Sequence, residues 1–461
     1  MTENAGRDVD GDDSAASHVV TAFLRHRGEI LLLCRSDAVG TYTGQWGGVS
    51  GFAEGQPDEQ VYVEISEETG LEPDTVSLVR SGRAVEFEDP TLEREWVVHP
   101  YLFDCETREI ELSEEHDTAK WVSPTTILES VGDDRETVPK LWTAYERVAP
   151  TVRSIAADDE HGAAYLSVRA LEVVRDRAGL LVAERSEFGA DPDGEWDELA
   201  ELAGRLLKAR PSMAVLRNRV NRAMADADGE DGGAPDVHDA ALSGIDRALA
   251  ADTDAAATAA ERIDGTIATL SRSGTVLEAL EQATPSRVFV AESRPAREGV
   301  AVAEELAETT DSTVTVHTDA AVAHVLARED IERVVVGADT ILPDGAVVNK
   351  TGTRTLAIAA AREGIPVTVV AATDKVSTRE DVNLESGDRT AVYDGDAAVD
   401  VLNPTFDVTP ADCVTEVSTE RGALEPGAIE DVAEELRGLE AWRDGGEPTE
   451  REATDRNPSR E

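Results

Sequence analysis

Between Ile267 and about Ala372 the chain repeats one rhythm, a short run that is apolar throughout followed by a segment of helical periodicity. The runs VFVAES, VTVHT, VVVGAD and VTVVAA alternate with helical stretches such as GVAVAEELAE and TRTLAIAAAREG. A strand that is apolar at every position has no face to give to water, so both of its faces must be covered. Helices placed between such strands predict a parallel sheet wrapped on both sides. That excludes an all-α or all-β architecture for this region. No further self-similar repeat of roughly 20–50 residues is superimposed on it.

The rest of the chain follows other patterns. From about Gly162 to Asp264 helical periodicity dominates, with Ala164, Val168, Leu171 and Val174 on one stripe. Within it ADADGEDGGAPD, residues 225–236, reads as a loop too acidic and Gly-rich to pack. From His18 to about Val148 strands and helix are mixed. VVTAFLRHRGEILLLC and EWVVHPYLFDC read as strands, the first pair turning near Arg27-Gly28. PDEQVYVEISEETG reads as a helix stopped by Gly70. Residues 1–16 and 441–461 read as loose tails, leaving a mixed domain at 17–149, a helical subdomain at 152–265 and a parallel-sheet subdomain at 266–440.

Charge narrows the function classes. Among 461 residues, 43 Lys+Arg face 95 Asp+Glu, a formal net charge of −52. A phosphate backbone would be repelled by most of such a surface, so DNA and other non-specific nucleic-acid binding is excluded. Hydrophobic residues make up 41% of the chain, enough to fill cores, which excludes a wholly disordered acidic protein. No apolar run approaches the roughly 18 residues of a membrane span. The start, MTENAGRDVDGDD, is unlike a secretory signal, so a cytoplasmic protein is expected. Lysine is confined to Lys120, Lys140, Lys208, Lys350 and Lys375. An acidic, lysine-poor surface fits a halophilic cytoplasm, where molar salt shortens the Debye length to about 3 Å and self-repulsion is tolerable. Cys34, Cys105 and Cys413 are far apart, which gives no disulfide framework or zinc knuckle, and they read as small buried hydrophobes.

Glu64, Glu67 and Glu68 fall at i, i+3 and i+4 of the expected helix, which puts three carboxylates on one face. Such a cluster must be exposed, paired with cations, or bound to a hard divalent ion, since Mg²⁺ and Mn²⁺ take oxygen ligands. Glu115, in LSEEHDTAKWV, reads first as a salt-bridged surface residue and second as a further ligand from outside the helix. His99 and His116 have no paired metal spacing and read as ordinary polar residues. The run GGVSGFAEGQPDEQVYVEISEETGL strongly resembles the Nudix box, a Gly-rich loop leading into a helix with Glu-x-x-Glu-Glu. Gly48 and Glu54 keep the expected spacing, and Gly70-Leu71 close the motif. The resemblance, over residues 18 to about 148, implies an α/β/α sandwich with a mixed sheet. It also implies Mg²⁺- or Mn²⁺-dependent hydrolysis of a nucleoside diphosphate linked to another group, with Glu64, Glu67 and Glu68 catalytic. The arginine that usually precedes the first helix glutamate is Val63 here, and the Glu54–Glu64 interval is one residue longer than usual.

In the second half, Ser271-Arg272-Ser273-Gly274-Thr275 leaves an apolar segment and enters a helix, a turn whose N–H groups and hydroxyls suit either a phosphate or a helix cap. Arg294, Asp339, Asn349 and Lys350 each follow an apolar strand, where ligands of parallel sheets bind. In order, ESRP, VVVGADTI, VVNKTGTRTLA, NPTFDVTP and TERG strongly resemble the alpha/beta/delta-subunit family of translation initiation factor 2B. Ribose-1,5-bisphosphate isomerase and methylthioribose-1-phosphate isomerase share that fold. The resemblance covers about 160–440 and implies a helical subdomain, a Rossmann-like subdomain, and a homodimer formed through the latter. The isomerases use an aspartate, matched by Asp339, and a cysteine, whose place is taken by Ser271. A hydroxyl cannot stand in for a thiol of pKa about 8.5 in acid–base work, which weighs against isomerase activity. A phosphosugar or nucleotide pocket of Arg272, Ser273, Gly274, Arg294, Asp339, Asn349 and Lys350 is expected. The joint expectation is a Nudix pyrophosphohydrolase fused to a phosphosugar- or nucleotide-binding domain. The alternatives are a non-catalytic regulator acting in translation and a sugar-phosphate isomerase.

Overall fold

The computed structural model describes residues 16–53, 55–130, 136–158, 160–229, 232–382 and 384–446. They form two compact units, Met1–Pro150 with Gly179–Gly189, and Thr151–Ala178 with Ala190–Glu461. Glu54 and residues 1–15 and 447–461 lie outside the described residues.

The first unit holds β1 (Ser17–His26), β2 (Glu29–Arg35), β3 (Trp46–Gly47), β4 (Val49–Phe52), α1 (Pro57–Thr69), β5 (Val76–Ser81), β6 (Val85–Asp89), β7 (Arg94–Cys105), β8 (His116–Val122) and α2 (Leu141–Glu146). Arg27 and Gly28 have φ of 51° and 84°, and this two-residue left-handed turn folds β2 back on β1. β1 runs parallel to β7 and antiparallel to β2 and β4, so the eight-stranded sheet is mixed. Alternation along β1 assigns its faces. Val20, Ala22 and Leu24 pack with Val61 and Ile65 of α1, while Phe23 packs with Leu141, Ala144 and Tyr145 of α2. Each fully buried large apolar side chain contributes roughly 1.5–3 kcal/mol, which makes these two layers the main hold on the α/β/α sandwich. Arg25 adds a bidentate tie from β1 to Asp104 of β7, at 2.7 and 3.0 Å.

The second unit opens with helices α3 (Val152–Ala157), α4 (Ala163–Phe188, whose residues from Gly179 onward belong to the first unit), α5 (Pro192–Ala209), α6 (Ala214–Ala227) and α7 (Ala234–Ala260). The stripe read from sequence is buried at Val168, Leu171 and Val174. The expected loop at 225–236 is shorter than its composition suggested. α6 runs on to Ala227, and α7 starts at Ala234 with Pro235 in its first turn, where the missing N–H costs nothing.

Then follow β9 (Thr266–Leu270), α8 (Gly274–Ala283), β10 (Arg287–Ala291), α9 (Glu298–Thr309), β11 (Thr313–His317), α10 (Val322–Arg328), β12 (Arg333–Gly337), β13 (Thr340–Ile341), β14 (Val347–Lys350), α11 (Thr353–Glu363), β15 (Val367–Val370), β16 (Phe406–Thr409), β17 (Glu416–Thr419), β18 (Gly422–Leu424) and α12 (Ile429–Gly438). The main sheet has the order β11-β10-β9-β12-β15-β17-β18, parallel from β11 to β17. Val288 and Val290 face one helical layer and Phe289 and Ala291 the other, as a strand covered on both sides requires. β11 departs from the expectation of full burial. It is the edge strand and most of its residues are exposed. β10 and β11 are added on one side of β9, and β12 and β15 on the other, so the crevice at the carboxyl ends of β9 and β12 is a topological switch point.

Two smaller corrections concern the termini and cysteines. Residues 441–446 form a 3₁₀ turn instead of a loose tail, because Trp442 is buried and its indole N–H donates to Asn221 Oδ1 at 3.2 Å. Cys34 and Cys413 are only half-buried, and all three cysteines are free.

Candidate functional sites

In the first unit α1 starts at Pro57 and stops at Gly70, whose φ of 69° is the left-handed cap a side chain would resist. This registers the carboxylates against β4. Gly48 and Gly51 make that approach possible. A Cβ on Gly48 would meet Ala22 O at 2.7 Å, and a Cβ on Gly51 would overlap the Glu64 carboxylate. Glu64 accepts from Gln60 Nε2 at 2.8 Å. Glu67 is exposed, and Glu68 is buried, with its Oε2 accepting the Ser50 N–H at 3.2 Å.

The three carboxylates therefore occupy three environments and are not equivalent. Glu68 is pushed up to about 9, by burial first and then by Glu64 and Glu115, against the Ser50 N–H and Arg35. His116 Nε2 lies 3.7 Å from Glu68 Oε2. Burial and Arg35 hold His116 down to about 4, so the imidazole is neutral at pH 7 and is no counter-ion. His116 is thus part of the site and not an ordinary polar residue. Sequence spacing could not reveal this, because Glu68 on α1 and His116 on β8 are far apart in the chain and meet only in the folded unit. Arg35 was missed for the same reason. It stands at the end of β2, on the wall of a 450 Å³ cavity that Glu64, Glu67, Glu115 and Ser50 also line.

Do these residues fit a divalent cation? The Oε1 of Glu68 and Nδ1 of His116 are buried without a hydrogen-bond partner among the described residues. An oxygen left so costs about 1–3 kcal/mol, which a bound cation would offset. Hard oxygen donors, one of them orphaned, suit Mg²⁺ or Mn²⁺ in kind. In arrangement, no group of three His, Cys, Asp or Glu is gathered for a metal among the described residues. Glu68 with Glu64 and Glu67 would hold it, after Glu68 gives up its proton.

A pH dependence follows for the chelator-treated protein. Glu68 has its folded pKa raised from 4.5 to about 9. Its contribution to stability is complete below the lower value and is lost as pH rises toward the upper one. Denaturation midpoints should fall over that window, and Glu68→Gln should flatten the decline.

In the second unit the switch point gathers Ser271, directly after β9, and Asp339, just after β12. Ser271 is buried with a φ of 59°, an unusual left-handed conformation for serine. Its N–H donates to Ser293 Oγ at 2.7 Å and its Oγ to Glu298 Oε2 at 2.8 Å. The other oxygen of Glu298 accepts from Lys350 Nζ at 2.8 Å. Burial pushes the Asp339 carboxyl up, opposed by Lys375 and Lys350, although the residue as a whole keeps some exposed surface. Lys375 donates to Ala338 O at 2.7 Å.

Other residues named from sequence serve the backbone. Ser273 caps α8, its Oγ 3.4 Å from Val276 N, and the Asn349 amide donates to Thr353 Oγ1 at 2.9 Å. Gly274 opens α8. Arg272 is exposed and paired with Glu305 at 3.7 Å. Arg294 has an exposed side chain, and Asp319 accepts its N–H at 2.7 Å. Glu298 and Lys375 are the site residues that sequence reasoning missed. Lys375 carried a signal, as one of five lysines in the chain.

The model of the Initiation factor 2 subunit family matches residues 159–426, more than half of the chain. The chain belongs to that family. A NUDIX domain model matches residues 15–141, so a NUDIX domain precedes the Initiation factor 2 subunit domain. Ribose 1,5-bisphosphate isomerase of Haloterrigena turkmenica is 33% identical over 322 residues, 63% of this chain and 94% of that protein. The same-named protein of Haloferax volcanii is 32% identical over 66% of this chain and 98% of its own length. Methylthioribose-1-phosphate isomerase of Pseudomonas aeruginosa is 38% identical over 162 residues, 32% of this chain and 44% of that protein. Among solved structures, translation initiation factor eIF-2B of Pyrococcus horikoshii is 30% identical, with a TM-score of 0.49, covering 60% of this chain and 95% of that one. Among the described residues no helix of the family domain or the NUDIX domain is long and apolar enough to cross a membrane.

Proposed function

We propose that the NUDIX domain hydrolyses a nucleoside diphosphate linked to another group with Mg²⁺ or Mn²⁺, and that the Initiation factor 2 subunit domain binds a phosphosugar or nucleotide. The chain would act in a salt-rich cytoplasm as a homodimer joined through the Rossmann-like subdomain. The observation that carries the hydrolase reading is the buried, partnerless Oε1 of Glu68 beside a cavity lined by Glu64, Glu67 and Arg35. A cation bound there supplies positive charge to the diphosphate oxygens and lowers the pKa of a water molecule. Arg35, on the cavity wall, would pair with a diphosphate oxygen, and the exposed Glu67 carboxylate would take a proton from the attacking water. Splitting a nucleoside-diphosphate sugar releases a sugar phosphate, the ligand class proposed for the second domain.

The test is release of nucleoside monophosphate from a panel of nucleoside-diphosphate sugars in molar KCl, with and without Mg²⁺. Turnover that requires the metal supports the reading, and none from an intact fold overturns it in favour of a binding regulator. Light scattering of the same sample should give a dimer mass.

A second reading, sugar-phosphate isomerase, is favoured by the isomerase relatives and by Ser271 and Asp339 following the adjacent strands β9 and β12. The thiol is absent, and the Ser271 hydroxyl is already spent on Glu298. Incubation with ribose 1,5-bisphosphate, followed by NMR, distinguishes the two readings of this domain.

A further inference from the structure

Glu298 is the first residue of α9, at the end of a helix where a carboxylate ordinarily serves the helix's own free N–H groups. Here both of its oxygens are taken by side chains from other elements. Oε2 accepts from the Ser271 hydroxyl, just after β9, and Oε1 from the Lys350 ammonium at the end of β14, each at 2.8 Å. The pair stands within electrostatic reach of the Asp339 carboxyl, which burial pushes up. Backbone holds the carboxylate in this place. Arg297 before it takes a left-handed φ of 61°, and a Cβ on Gly299 after it would lie 2.0 Å from Ala291 O.

Two oxygens on one atom, sharing negative charge and received by a hydroxyl and an ammonium, are also what a phosphate ester presents. The Ser271 side chain is buried, whereas the side chains of Glu298 and Lys350 are 30% and 24% exposed, so the pair is open to solvent. A carboxylate tethered in this way competes for Lys350 at an effective concentration far above that of a free ion. Chloride, a single point of charge, has no second acceptor for the hydroxyl. A phosphate dianion has that acceptor and more charge.

We propose that Glu298 is a built-in stand-in for the ligand's phosphate, filling the place on Ser271 and Lys350 until a phosphate ester takes it and keeping salt anions out meanwhile. This rests on the reading that the family domain binds a phosphosugar or nucleotide, and adds the residue that decides which anions enter. Glu298→Gln retains an acceptor of the same shape and removes the charge, which opens the ammonium to any anion.

The test is calorimetric titration of the full chain with ribose 5-phosphate and with inorganic phosphate, in KCl raised from about 1 to 3 M. At the lower salt Glu298→Gln should bind both probes roughly tenfold more tightly than wild type. Its affinity should then fall about threefold as KCl rises, because chloride competes for the open ammonium, while that of wild type stays level. Glu298→Asp, with the charge kept and the reach shortened, should fall between the two, and Lys350→Met added to Glu298→Gln should cancel the gain. Circular dichroism verifies each fold. Equal affinity in wild type and Glu298→Gln, or weaker binding by the variant, overturns the stand-in and leaves the binding reading in place. Binding by Glu298→Gln alone supports the stand-in and overturns the binding reading for the native chain. Binding by neither overturns both.

Discussion

Glu67→Gln and Glu68→Gln should each lower metal-dependent turnover by at least about a hundredfold while leaving the fold intact. The amide keeps the shape of the side chain and, at position 68, an oxygen for the Ser50 N–H. It removes the negative charge that would hold a divalent cation. The two variants should differ in a second readout. Glu68 is buried beside His116, whereas Glu67 is exposed in the cavity. Calorimetric titration with Mn²⁺ should therefore show the larger loss of metal affinity for Glu68→Gln. Turnover that survives both substitutions would remove the carboxylate helix from the reaction.

Gly299→Ala should destabilise the family domain by roughly 3 kcal/mol or more, a cost set by backbone and not by a flexible side chain. A Cβ at this position would lie 2.0 Å from Ala291 O, a main-chain atom fixed in β10. The start of α9 would have to leave β10, carrying Glu298 away from Ser271 and Lys350. Urea unfolding followed by far-ultraviolet circular dichroism measures the loss. A variant as stable as wild type would mean that α9 can shift without cost.

The parts of the fold that were legible in the sequence are those set by local chemistry. Gly70 ends α1, Arg27-Gly28 turn β1 into β2, and the apolar runs form the parallel sheet. Patterning could not rank the strands across the sheet, so VTVHT was expected inside and lies at the edge. Nor could acidity rule out helix where Pro235 starts one, or a lone Trp442 in a polar tail announce its docking. In the sites, spacing on one helix put Glu64, Glu67 and Glu68 forward as candidates. Arg35, His116 and Glu298 join their partners across tens of residues, through pairings that no local window contains.

The contact between Glu298 and Lys350 sets the terms on which the family domain can receive an anion. The ammonium at the switch point is already satisfied by the protein's own carboxylate. A phosphate arriving there would have to displace the Glu298 carboxylate from Lys350, exchanging one ion pair for another. The affinity measured for such a guest is accordingly a difference between two pairings, smaller than the charge of Lys350 alone would suggest.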